Sequence, residues 1–217
     1  TGVQTCALPI SKLEAASGEN IFYRRTGTLI VAGSEERKSA LLTLHGANAH
    51  WIEGGALKAR EPLLSKSLLG ALVFEDDAQV DNRALGRALT VAALRAGAEI
   101  FECEDVRSVL MNRGRAGGFA LGRGTVEADA VVLACGAWMN GVSGVEKIVP
   151  VIQPVKGQMV ALRPPHDSVL PEALIWDEHL YLIPRHDRLF IGATVEHTGF
   201  SHSVERSAAD QIGRAHV

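Results

Sequence analysis

Asp129–Trp138 reads DAVVLACGAW. A run of apolar residues ends in three small ones, Cys135, Gly136 and Ala137, and then in a tryptophan. The apolar run predicts a strand over 129–134, central in its sheet and covered on both faces. Side chains that shrink at the carboxyl end of such a strand leave room for a ligand to approach the backbone. A tight packing turn accounts for Gly136 and Ala137 equally well on these residues alone.

The chain upstream supports a nucleotide-binding arrangement. Asp81–Gly97 predicts a helix capped by Asp81 and ended by Gly97, with Leu85, Ala88, Leu89, Ala92, Ala93 and Ala96 at helical spacing. AEIFECEDV, 98–106, predicts a strand, and the glycine-rich stretch 106–128 predicts an antiparallel meander. Helix, strand, meander and buried strand form the second half of a nucleotide-binding α/β unit. Before Asp81, IFYRRTGTLIVAG predicts two short strands around Thr26-Gly27. Glu35–Ala49 predicts a helix, and Glu61-Pro62 marks a loop. After Pro150, QMVALRP, LIWDEHLYLIPR and RLFIGATVE predict antiparallel strands separated by proline and charged turns. The expected fold class is α/β (α+β overall). Part of a Rossmann-like domain is joined to a second domain with a mostly antiparallel sheet, built mainly from the chain after Pro150.

Composition narrows the function. The chain has 217 residues, 47% of them hydrophobic, and a formal charge of −3. That balance gives no electrostatic case for nucleic acid or an anionic membrane. No apolar run reaches the ~20 residues of a membrane span. Cys6, Cys103 and Cys135 lack metal-ligand and disulfide-framework spacing, so a reducing cytoplasm is expected. The eight histidines are scattered, so no metal is expected. GxGxxG, GxSxG, HExxH and Walker loops do not occur in the sequence. Cys135 reads as a packing thiol, with no basic neighbour in sequence. Tyr181 lies mid-strand, on the face opposite Leu180 and Leu182. It reads either as a core tyrosine with a satisfied hydroxyl or as a pocket residue whose hydroxyl binds a carboxylate.

The ends are expected to be foreign. One codon choice for Ala7–Ile10 plus the first base of Ser11 is GCTCTTCCGATCT. Its reverse complement, AGATCGGAAGAGC, read from the last two bases of a CAG codon at Gln211, encodes Ile212, Gly213, Arg214 and the start of Ala215. Residues 1–10 and 212–217 therefore read as adapter-derived, flanking an internal piece of a longer protein.

FEDDAQVDNRALGRAL, ADAVVLACGAW, PVIQPVKGQMVALRPP and HLYLIPRHDRLFIGATVEHTGF, in that order, resemble the D-amino-acid-oxidase-like (DAO) flavoproteins, above all the glycine oxidases of the thiamine-thiazole pathway. The resemblance implies noncovalent FAD. It implies that Val106 and the turn Cys135, Gly136, Ala137 and Trp138 lie beside the cofactor, and that Tyr181 and Val195 lie in the substrate pocket. It divides the chain into substrate-domain portions at 11–80 and 150–211 and an FAD-binding portion at 81–149. The dinucleotide loop would precede Ser11, and a carboxylate-binding arginine would follow Gln211. The implied partners are a small amino acid and oxygen, and a homo-oligomer is left open. The implied activity, carried by the longer protein, is oxidative deamination of glycine or a small amino acid with hydrogen peroxide formed. No acid–base residue is assigned. A dehydrogenase of the same fold, or a noncatalytic or nicotinamide-binding module, are the competing readings.

Overall fold

A computed structural model describes residues 4–44 and 48–214. They form two compact units. The first takes the residues up to Ala98, Gly157–Val195 and the residues from Ser203 on; the second takes Glu99–Lys156 and Glu196–His202.

The first unit is organised by two strands whose residues alternate between two apolar layers. Strand β1 is Thr28–Ala32, and it follows helix α1, Gln4–Ser17. Leu29 and Val31 pack with Leu57, Val73 and Ile175, while Ala32 packs with Leu41 and Leu72. Leu41 belongs to helix α2, Glu35–Thr43, capped by the Ser34 hydroxyl, which accepts from the Arg37 N–H. Leu57 belongs to helix α3, Gly54–Arg60, which follows strand β2, Ala49–Glu53. Strand β3, Gly70–Phe74, pairs antiparallel with both β1 and β2.

Glu61-Pro62 is a loop, as expected, and Glu61 is only 3% exposed. Its carboxylate accepts the backbone N–H groups of Glu172 at 3.1 Å and Ala173 at 2.9 Å. Those residues lead into strand β8, Leu174–Trp176, which pairs parallel with β1. Strand β9, Tyr181–Arg185, pairs antiparallel with β8; β10, Arg188–Gly192, pairs antiparallel with β9; and β7, Met159–Leu162, pairs antiparallel with β10. Among the described residues the sheet runs β2-β3-β1-β8-β9-β10-β7. The chain after Pro150 thus supplies four strands, antiparallel to one another as expected, and the segment before Asp81 supplies three.

Helix α4 is Asn82–Arg95, capped as expected: the Asp81 carboxylate accepts from the Arg83 and Ala84 N–H groups, both at 2.9 Å. Ala84 and Ala88 are its buried residues, whereas Leu89 of the expected apolar face is exposed. Gly97 adopts the left-handed conformation, φ +90°, just past its end. Arg185 of β9 reaches the same cap. It donates to the Asn82 side chain at 3.1 Å and the Val80 carbonyl at 3.2 Å, and lies 3.7 Å from the Asp81 carboxylate.

The second unit holds the expected meander: β4, Val106–Asn112, β5, Arg115–Leu121, and β6, Gly124–Glu127, all antiparallel.

Four expectations need correcting. Ile21–Arg24 is not a strand: Arg24 makes only an isolated bridge to Gln79, and Phe22, at φ +58°, departs from extended backbone. Helix α2 ends at Thr43, and Ala49, its expected end, opens strand β2 because AHWIE finds β3 as a partner; 45–47 lie outside the described residues. The stretch 98–106 enters no ladder before Val106 and leaves Ile100 and Phe101 exposed. The stretch 129–134 is not a covered central strand. Val131 and Leu133 pack against the cluster of Val109, Val142 and Val145, while Val132 is 89% exposed. Both stretches have strand composition, but no neighbouring strand among the described residues offers them backbone partners, and a ladder needs both sides of each hydrogen bond.

At the ends, α1 crosses Ser11 without a break. Helix α5, Arg206–Arg214, buries Ile212.

Glu61→Ala strands two N–H groups at the mouth of β8 and should cost about 2–4 kcal/mol; chemical denaturation of the two proteins measures it, and a loss under about 1 kcal/mol contradicts the assigned role. The Asp81 carboxyl is held below its ordinary value of 3.8, first by the Ala84 N–H and then by Arg185 and the Arg83 N–H, against some desolvation. A lowered folded value means the contribution is present above pH 3.8 and is lost as pH falls through the folded value. Asp81→Asn keeps a good cap but does not titrate. Its stability should fall less steeply than the parent's on acidification below pH 3.8; parallel acid limbs would refute the linkage.

Candidate cofactor and substrate sites

In the second unit, Gly136–Gly141 forms a 3-10 turn that starts where the apolar run stops. Gly136 has φ +53°, in the left-handed region that favours glycine. A Cβ built on it meets nothing within 4 Å, so the space above the turn is open rather than tightly packed. The turn is pinned to β4 by Val142 and Val145, which pack on Val109, and by two backbone bonds of 2.9 Å: Val109 N–H to the Ser143 carbonyl and Ser143 N–H to the Arg107 carbonyl. Gly144 lets this happen. It has φ +88°, and a Cβ there would lie 2.6 Å from the Val109 carbonyl oxygen.

The pinning brings the start of β4 beside the turn. Val106, Cys135, Trp138 and Val142 line one cavity of about 530 Å3, with Glu104, Asp105 and Arg107 at its polar side. Three of the residues expected beside a cofactor, Val106, Cys135 and Trp138, meet here. Gly136 and Ala137 are not among the lining residues; they follow Cys135 on the open turn. Trp138 is 64% exposed, and its ring lies 5.4 Å from that of Phe200. Glu104 is paired with Arg123 at 2.9 Å. Cys103 and Cys135 are free thiols. Among the described residues no group of His, Cys, Asp and Glu is arranged to hold a metal.

The first unit carries Tyr181. Leu182 packs into the core and Tyr181 points to the other face, as its position in the strand requires. Its ring stacks on Trp176 with centroids 5.5 Å apart, and its hydroxyl donates to the Met159 Sδ at 3.6 Å. Val195 lies three residues past β10 and is 74% exposed. Sequence reasoning missed Trp176 and Met159. The signal for Trp176 was present: DEHL, 177–180, is a turn, closed by the Asp177 N–H on the Leu180 carbonyl, and it sets Trp176 directly opposite Tyr181. Met159 had no such signal, since its place depends on the pairing of β10 with β7.

A family model described as FAD dependent oxidoreductase matches residues 7–215. The chain belongs to this DAO family. It is 35% identical over 199 residues to a bifunctional protein ThiO/ThiG of Trichormus variabilis, covering 88% of this chain and 29% of that protein. It is 28% identical over 205 residues to a glycine oxidase of Bacillus licheniformis, covering 94% of this chain and 55% of that one. The crystal structure of a glycine oxidase from Bacillus cereus matches it with a TM-score of 0.88 at 26% identity, over 99% of this chain and 61% of that one. The DAO-family chain thus spans about a third to about a half of the curated relatives it matches. Its mixed α/β fold with a mostly antiparallel sheet is that of the glycine oxidases. No described helix is long and apolar enough to cross a membrane.

Gly144→Ala should cost the second unit about 2 kcal/mol, from left-handed strain plus the close approach to Val109. It should also speed amide exchange at Val109 and Ser143. Unchanged exchange at both would mean that the turn is held in some other way.

Proposed function

We propose that the protein carrying this chain is an FAD-dependent amine oxidase that oxidatively deaminates glycine or a small amino acid in the cytoplasm, with oxygen as acceptor and hydrogen peroxide as product. The observation that carries the reading is the Tyr181 hydroxyl, presented beside Trp176 and held by a thioether, within a member of the FAD dependent oxidoreductase family.

The residues of the second unit fit part of the cofactor. Val106, Trp138 and Val142 offer apolar contact to a flat ring. Glu104, Asp105 and Arg107 at the polar side offer acceptors and a donor, and with the apolar residues they suit the adenosine end of FAD. Val106 and the turn Cys135, Gly136, Ala137 and Trp138 would hold it, with the open space above Gly136 admitting close backbone approach. When bound, FAD supplies the acceptor for the hydride that leaves the substrate's α-carbon, and the resulting imine hydrolyses to an oxo acid and ammonia.

The chain's own contribution is position. The Tyr181 hydroxyl donates to the substrate carboxylate and fixes that end, and the Trp176 ring keeps water from one side of the phenol. Val195, exposed past β10, is the proposed side-chain contact. The carboxylate stays charged in ground and transition states alike, so its anchor contributes equally to both.

Tyr181→Phe in the whole protein should therefore raise KM for glycine and leave kcat nearly unchanged. A hydrogen bond to a charged group is worth about 1.5–3 kcal/mol, so kcat/KM should fall about ten- to a hundredfold. Steady-state kinetics with an unchanged KM would make Tyr181 a packing residue and remove the substrate assignment.

A further inference from the structure

Four strands of the first unit place Trp176, Tyr181, Gly192 and Met159 in one row. Trp176 is opposite Tyr181, Tyr181 opposite Gly192, and Gly192 opposite Met159. Directly paired residues share a face of the sheet. The side chains of Trp176, Tyr181 and Met159 therefore stand together, and Gly192 is the gap between the last two. The Tyr181 phenol crosses that gap to reach the Met159 sulfur. A Cβ at position 192 would lie 2.7 Å from the Met159 Cγ and 3.3 Å from the Tyr181 Cζ, the carbon that bears the hydroxyl. Gly192 is buried, and a Cβ there would have no room between the Met159 and Tyr181 side chains.

We propose that Gly192 and Met159 are positioning residues for the Tyr181 hydroxyl: Gly192 leaves the slot in which the phenol lies, and Met159 holds the hydroxyl with an acceptor weak enough for a carboxylate to displace. The proposal rests on the reading of Tyr181 as the carboxylate anchor. A thioether is a weak acceptor. A hydrogen bond to an ionised carboxylate is about twice as strong as one between neutral groups. Exchanging sulfur for carboxylate is therefore favourable, and the phenol need not first break a strong bond. An amide or carboxylate at position 159 would remove that advantage.

The test has two arms. In this chain, with Trp51→Phe and Trp138→Phe, Trp176 is the remaining one of the three tryptophans. Gly192→Ala should shift its emission as Tyr181 leaves the stack, and adding Met159→Ala should bring the emission back by freeing the slot. An unchanged spectrum in Gly192→Ala overturns the proposal. In the whole protein with FAD, acetate is titrated and the flavin absorbance is followed. Gly192→Ala should raise the acetate Kd about tenfold and the KM for glycine in parallel, leave kcat within about twofold, and recover to within about threefold on adding Met159→Ala. A lowered melting temperature with Kd unchanged means packing only and overturns the proposal. If Gly192→Ala does not fold, Met159→Gln carries the test. Its amide competes for the hydroxyl, so Kd should rise about threefold or more, and an unchanged Kd overturns the proposal. Tyr181→Phe separates the two ideas. If it leaves the acetate Kd unchanged, the anchor reading falls and the proposal with it. If it raises Kd while Gly192→Ala does not, the anchor stands and only the positioning proposal falls.

Discussion

The buried carboxylate of Glu61 sets where two distant parts of the chain join. It accepts the Glu172 and Ala173 N–H groups across more than a hundred residues of sequence and so aligns the start of β8 with β1. Without it those amides would face an apolar layer formed by Leu57, Val73 and Ile175. Burying a carboxylate is unfavourable unless its lone pairs are used, and here backbone donors use them. The β1–β8 pairing joins the two parts of the sheet, and the ladders from β8 through β9 and β10 to β7 set the faces presented by Tyr181, Gly192 and Met159.

A second tie explains why two of the family-like segments occur together. AQVDN and YLIPR are about a hundred residues apart, yet Arg185 of the second donates to the Asn82 side chain and the Val80 carbonyl of the first. Asp81 in the same motif caps α4. One guanidinium thus ties the start of a helix to the strand that carries Tyr181, and packs against Phe190 as it does so.

The two candidate sites differ in construction. The one in the second unit is a pinned turn. Gly144 and the valines behind it hold the backbone, and the space above Gly136 is open. The one in the first unit is a row of side chains on a sheet, set by ladder register and by one missing side chain. Turns of the first kind leave a local signature of small residues. Rows of the second kind leave a signal only where a short turn joins two of the strands, as at 177–180, and none where the partner strand is distant, as for Met159.

Features that depend on a few adjacent residues are legible in the chain. These are the cap and end of α4 from Asp81 and Gly97, the meander from its glycines, the antiparallel strands after Pro150, the small-residue turn at Cys135–Ala137, and, through its motifs, the DAO family. Other features arise only from contacts between distant segments. AHWIE became a strand only because β3 lies beside it, and 129–134 did not because no described strand does. A strand's hydrogen bonds are made with another segment, so apolar composition states a capacity to pair and not the pairing itself. For the same reason Met159 joined Tyr181 only once the register of β7 on β10 was set. Cross-strand neighbours are chosen by the sheet, whereas a helix cap or a glycine turn is chosen by the residues next to it.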